Sequence, residues 1–308
     1  MKRTIVGLVT AAVAVLGLAA CGGSSNPLSG GSSTSGSSSG GGSITIGSAN
    51  FSESQLLAAI YAGALKAKGV QVSEKANIGS RERYFPALKS GEIDLIPEYS
   101  GTLLQYLNKS ATQVSPADVY SALKQALPSN LTELDMAAAQ DKDAIVVTQA
   151  TASQYNLKSI TDIAPHCAQF TFGGPPELQT RPDGLPGFKS HYNCVFGTFK
   201  ALDAGGPLTI AALKNGNVQA ADIFTTDASI KADNFVILDD PQNNFAAQNV
   251  VPIINSAKNN STVSAALNAV QAKLDTATLA QLDATLAGPS HPDASTVAEN
   301  WLKSVGLG

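Results

Sequence analysis

The residues best suited to covalent or metal chemistry fall in two short pairs. His166 adjoins Cys167, and His191 stands three positions before Cys194. Two readings compete for them. A disulfide closing the 27 positions between the cysteines stabilises a fold by about 3.5 kcal/mol in the chain-entropy model. A zinc site is the alternative, but structural zinc sites draw on two close ligand pairs, and a neighbouring His and Cys do not readily face one ion. His291, in His-Pro-Asp near the C-terminus, reads as a surface residue. No H-E-x-x-H or P-loop occurs. Gly36-Ser37-Ser38-Ser39-Gly40 fits G-x-S-x-G, but the pattern needs a strand before it and a helix after it. Its Gly/Ser surroundings supply neither, so the match is chance. Asp239-Asp240 reads as a pair of solvated turn residues, and no nucleophile–base motif argues for an enzyme. We expect no cofactor, no metal and no catalysis.

The N-terminus reads as targeting rather than fold. Lys2 and Arg3 precede an apolar run over residues 5–20, interrupted by Thr10 and two glycines. That is short of the roughly 20 residues that span a bilayer. It ends Leu18-Ala19-Ala20-Cys21, which resembles the lipobox of bacterial lipoproteins, where the cysteine becomes the acylated first residue. Residues 1–20 are therefore expected to be removed and Cys21 to carry lipid. Over residues 22–43, 18 of 22 are Gly or Ser. Such a chain is a flexible tether with a span of roughly 25 Å. The protein is then lipid-anchored on the extracytoplasmic face of the cell membrane. Disulfides persist in that setting, and the Cys167–Cys194 bridge is the expected outcome. Losing Lys2 and Arg3 leaves 18 basic residues against 24 acidic, a net charge of −6. That balance lacks the basic footprint of nucleic-acid binding.

The body alternates strand and helix patterns. Residues 44–48 read as a strand. Ser52-Glu53-Ser54-Gln55 reads as a capping box that opens a helix, with Leu56, Leu57, Ile60, Tyr61, Ala64 and Leu65 on one face and Gly69 ending it. Strands are expected over 70–76, 93–96, 144–148, 170–173, 220–224, 235–238 and 250–254, and helices over 80–90 and 209–215. Pro186 and Gly187 suggest turns. From Ser261 the chain is helical, broken near Gly288-Pro289. Alternation of this kind implies an α/β fold with largely parallel sheets. No repeats appear, and a structural envelope role fits the pattern poorly.

At residues 46–102 the motifs IGSANFSESQLLAAIYAGALKAKG and NIGSRERYFPALKSGEIDLIPEYSGT resemble the substrate-binding proteins of osmoprotectant ABC importers, the ProX and OpuC type. The resemblance resumes at RPDGLPGF, at Thr225-Thr226-Asp227 and at ILDDPQNNFAAQNVVPII, and covers nearly all of residues 44–308. It implies a type II periplasmic-binding-protein fold of two α/β lobes joined by a two-strand hinge. Lobe one would be 44–141 plus 249–308, and lobe two 142–248. It implies a monomer that captures glycine betaine, choline or carnitine and hands it to a permease powered by an ATPase on other chains.

A quaternary ammonium donates no hydrogen bond, so it is held by ring faces, each worth about 0.5–2 kcal/mol. The resemblance implies four aromatic walls. Tyr99, in Pro97-Glu98-Tyr99-Ser100-Gly101-Thr102, keeps the first, and Phe224 takes the third. Asp143 stands at the second and Gln248 at the fourth. The lysine of the motif is replaced by Ala49, beside Asn50, while Thr102 and Arg181 remain to meet a carboxylate. Losing two ring faces removes roughly 1–4 kcal/mol, about ten- to a thousandfold in betaine affinity. Asp143 also suits a cation such as choline, and with Gln248 it suits hydroxyls. The alternatives are a receptor of the same fold that has drifted to a polyol, sugar-like or phenolic solute, and a binding lipoprotein coupled to a sensor.

Overall fold

The computed structural model describes residues 43–308. The signal segment, Cys21, the G-x-S-x-G match and the tether through residue 42 lie outside the described residues. The chain begins with β1 (Ile44–Gly47), α1 (Ser52–Ala67), β2 (Val72–Lys75), α2 (Arg81–Ser90), β3 (Leu95–Tyr99), α3 (Ser100–Leu107), α4 (Pro116–Ala126) and β4 (Leu131–Glu133). It then crosses into β5 (Ile145–Thr148), α5 (Gln149–Tyr155), α6 (Ile160–Ile163), β6 (Thr171–Gly174), α7 (Leu185–Tyr192), β7 (Thr198–Ala201), α8 (Pro207–Lys214), β8 (Ala220–Asp222), α9 (Ala228–Ala232) and β9 (Phe235–Ile237). It returns through β10 (Val250–Asn255), α10 (Ser261–Gln271), α11 (Thr276–Leu286) and α12 (Ala294–Ser304).

Two five-stranded sheets result, ordered β2-β1-β3-β10-β4 and β7-β6-β8-β5-β9. The two crossing segments meet at an antiparallel bridge between Gln140 and Asn249. The expectation of largely parallel sheets holds only for strands that follow a helical crossover: β1 with β2 and β3, and β6 with β7 and β8. The two strands fed by the crossings, β10 and β5, are antiparallel to all their neighbours. The cause is where they enter. Val250 starts opposite Tyr99, the end of β3, and Ile145 starts opposite Asp222, the end of β8.

Each sheet is covered on both faces, as buried α/β sheets require. In lobe one, the apolar face of α1 (Leu56, Leu57, Ile60, Tyr61, Leu65) packs with Leu267, Val270 and Trp301 of α10 and α12. Tyr84, Phe85, Leu88, Leu103 and Leu123 cover the other side. In lobe two, Phe172, Phe188 and Ile160 form one core and Val146, Leu213 and Ile223 the other. Cys167 and Cys194 are joined, with Cα atoms 5.5 Å apart. His166 instead packs its ring on Tyr155, with centroids 4.9 Å apart.

Two local expectations are corrected. The segment at Pro186-Gly187 is helix, not turn. Pro186 sits in the first turn of α7, where a missing N–H costs nothing. A Cβ on Gly187 would lie 2.4 Å from the Pro182 carbonyl oxygen, so a glycine is required there. Nor does Ser52 cap α1. The N-cap is Phe51, without a side-chain bond, and Ser54 Oγ accepts from Ala49 N–H at 2.9 Å. The residues read as a cap serve to shape the loop after β1 instead.

Candidate functional site

The C-terminal ends of β1, β3, β6 and β8 point at the space between the sheets, where open α/β folds place their ligands. All eight residues singled out from the sequence line this cleft: Ala49, Asn50, Tyr99, Thr102, Asp143, Arg181, Phe224 and Gln248. Its volume is about 60 Å³. One water takes about 10–15 Å³ on that measure, so the cleft suits a small solute rather than a peptide. A second cavity of about 140 Å³ adjoins it and shares Arg81, Thr102 and Arg181.

One wall is aromatic. Phe51 lies 5.9 Å from Tyr99 and 5.0 Å from Phe224, measured between ring centroids. Phe51 and Tyr99 come from lobe one and Phe224 from lobe two, so the lobes touch ring to ring. Phe51 was missed as a site residue, although it directly follows Asn50. Tyr99 OH donates to Glu53 Oε1, and Glu53 Oε2 accepts from Thr226 Oγ1 at 2.8 Å, from one lobe to the other. Thr226 N–H and Thr225 Oγ1 donate to Asp141 Oδ1 at 3.1 and 3.2 Å.

The opposite side is cationic but already paired. Arg81 donates to Glu98 through Nε (3.0 Å) and Nη2 (2.8 Å), and through Nη2 to Thr102 Oγ1 (2.8 Å). Tyr84 OH adds a bond to Glu98. Arg181, from lobe two, forks onto Glu82 of lobe one with two bonds of 3.1 Å. Partial burial pushes the Glu82 carboxyl up, yet the bonds and charge of Arg181 bring it down to about 2. Gln248 does not stand free as a wall. Its Oε1 accepts from Gly101 and Thr102 N–H at 3.1 and 3.0 Å, capping α3. A Cβ on Gly101 would lie 2.6 Å from the Ala247 carbonyl oxygen, so only glycine lets the crossover pass here.

Buried carboxyls dominate the electrostatics. Burial, then the neighbouring Asp283, holds Glu53 well above the usual carboxylate range. Burial likewise raises Asp141, Asp143 and Asp222, and carries Asp183 to about 6 and Asp283 to about 7. The sequence reading named Asp143 alone among these. Glu53 carried a signal, an acid in the first turn of α1, but it was read as helix capping. Asp183 lay unremarked in the quoted RPDGLPGF.

A family model described as the substrate binding domain of an ABC-type glycine betaine transport system matches residues 42–304. The chain belongs to that family. Its members bind substrate for ABC transporters outside the cytoplasm and are not enzymes. Glycine betaine-binding protein YehZ of Escherichia coli is 28% identical over 277 residues, covering 85% of this chain and 90% of that one. The glycine-betaine-binding protein of Pseudomonas aeruginosa is 27% identical over 223 residues, covering 68% and 71%. The crystal structure of a glycine betaine/carnitine/choline ABC transporter protein superposes with a TM-score of 0.68 at 24% identity, covering 86% of this chain and 99% of that one. The shared architecture is the type II periplasmic-binding-protein fold. Among the described residues, no helix is long and apolar enough to cross a membrane.

Proposed function

We propose that this substrate-binding protein is the lipid-anchored, extracytoplasmic receptor of an ABC importer. Residues 1–20 direct export, Cys21 carries the lipid, and the Gly/Ser tether lets a monomeric body reach its permease. Lobe one (44–141 plus 249–308) and lobe two (142–248) close on one small osmoprotectant of the glycine betaine, choline or carnitine type. The observation that carries this reading is the ring wall Phe51–Tyr99–Phe224, built from both lobes across a small cleft. A cation over those faces is attracted by each ring, and its contact with both lobes favours closure. Arg81, Arg181, Thr102 and Gln248 stand on the side where an anionic or carbonyl end would lie. Ala49 and Asn50 border the same space.

Calorimetric titration of the purified protein with glycine betaine, choline and carnitine tests it. At least one is expected to bind saturably, and Phe224→Ala to weaken it by about 0.5–2 kcal/mol, roughly two- to thirtyfold. Absence of binding by all three and by their N–H-bearing dimethyl analogues would refute the reading. The second reading, a hydroxyl-rich ligand, is favoured by Asp143 and Gln248 standing where rings are expected. It predicts binding of a polyol such as myo-inositol in the same titration.

A further inference from the structure

Both guanidinium groups of the cleft already hold a carboxylate, Arg81 on Glu98 and Arg181 on Glu82. The wall from lobe two carries more carboxyls than that pairing neutralises. Ile145 of β5 lies opposite Asp222 of β8, and Ile223 N–H bonds the Ala144 carbonyl. Asp143 and Asp222 are therefore diagonal neighbours on one sheet face. Asp222 is 1% exposed, and its carboxyl has no hydrogen-bond partner other than the Asp143 carboxyl it faces. Asp183, 2% exposed, has one oxygen without a partner. Asp143 lines the main cleft and Asp183 the adjoining cavity. On the crossover side, Gln248 lines the cleft with an Nε2 that is buried and has no acceptor.

Buried polar atoms are seldom left without partners, and leaving them so is costly. This site has carboxyl oxygens that need donors and an amide that needs an acceptor. A fully alkylated ammonium meets the rings but offers these oxygens nothing. A neutral polyol offers hydroxyls but gains nothing from ionising the buried acids. We propose that the ligand is a small ammonium or amidinium solute that keeps N–H donors, with Asp143 as their first acceptor and Asp222 and Asp183 behind it. Its other end is an acceptor for Gln248 Nε2. The inference rests on the receptor reading above.

The charged groups around Asp143 come from every neighbouring element. They are Asp222 on β8, Asp183 and Arg181 before α7, Asp141 on the crossover, and Arg81 on α2. A cation among these raised carboxyls favours their ionised forms, which strengthens its own hold.

The test compares pairs that differ in one N–H. N,N-dimethylglycine is titrated against glycine betaine, and N,N-dimethylethanolamine against choline, with myo-inositol alongside. In the wild-type protein the N–H-bearing member of a pair is expected to bind about tenfold tighter or better, because a site built to accept a hydrogen bond rejects the analogue lacking it. Asp143→Leu, of similar size and without an acceptor, is expected to abolish that preference, and Asp222→Asn to reduce it. If the fully methylated members bind equally or more tightly in the wild type, the inference falls while the receptor reading stands. Binding of myo-inositol alone also overturns it. If the folded wild-type protein binds none of the five, both fall.

Discussion

A carboxyl group buried beside other carboxyls keeps its proton past the pH at which a free one releases it. Asp283 of α11 is a case that can be measured. Burial carries it from an ordinary 3.8 to about 7. Below pH 3.8 both folded and unfolded chains hold the proton, and the group is neutral to stability. As pH rises to about 7 the unfolded chain releases the proton first, so stability falls, and the loss is complete above pH 7. Asp283→Asn removes that loss. It is expected to raise stability by about 2–4 kcal/mol at pH 8 and to change little at pH 4, read as thermal or denaturant midpoints. Arg81 should behave in the opposite way. Arg81→Met strands the fully buried Glu98 carboxylate without its counter-charge, and about 3–5 kcal/mol of stability should be lost in a denaturant titration. At this scale the sequence was legible where a residue departs from a family position, as at Asp143 and Gln248. It was not legible where a role depends on a distant partner. Nothing beside Glu53 in the chain shows that Tyr99 and Thr226 will meet it, and nothing beside Arg181 reveals Glu82.

Elements were legible through their own periodicity. The apolar face of α1 was readable because a helix that buries one side must repeat every three or four residues. The direction of a strand relative to its neighbours has no such local mark. β5 and β10 read as ordinary buried strands, and their antiparallel pairing follows from the crossings that feed them. The beginning of α7 was misread because a proline followed by a glycine marks turns more often than first helical turns. The Cys167–Cys194 bond also ties α7 to its surroundings, joining the second residue past the end of α7 to the segment before β6. It closes 27 positions of chain, so the double replacement Cys167→Ser with Cys194→Ser should lose about 2–4 kcal/mol. The measurement is unfolding of oxidised, reduced and double-mutant protein. Reduced wild type and the double mutant should coincide, with ligand affinity close to unchanged, because the bond lies away from the cleft residues.

In the proposed receptor, closure on a ligand is governed by contacts made from one lobe to the other, and these differ in kind. The bond from Thr226 to Glu53 is buried beside the ring wall. The pair of Arg181 with Glu82 is at the rim, with the Glu82 side chain 42% exposed. An exposed ion pair is worth about 0.2–1 kcal/mol and weakens with salt. Glu82→Gln should therefore loosen closure only slightly, speeding ligand release by about 1.4- to fivefold. Stopped-flow displacement measures this directly, and the same variant should lose most of the salt dependence of release seen in the wild type. Thr226→Val removes the buried bond and leaves a carboxyl oxygen of Glu53 without its donor, a cost of about 1–3 kcal/mol confined to the closed form. Its effect on release should be larger, about five- to 160-fold, and indifferent to salt. Should the rim variant exceed the buried one, closure is governed by charge at the mouth of the cleft and not by the contacts around Tyr99.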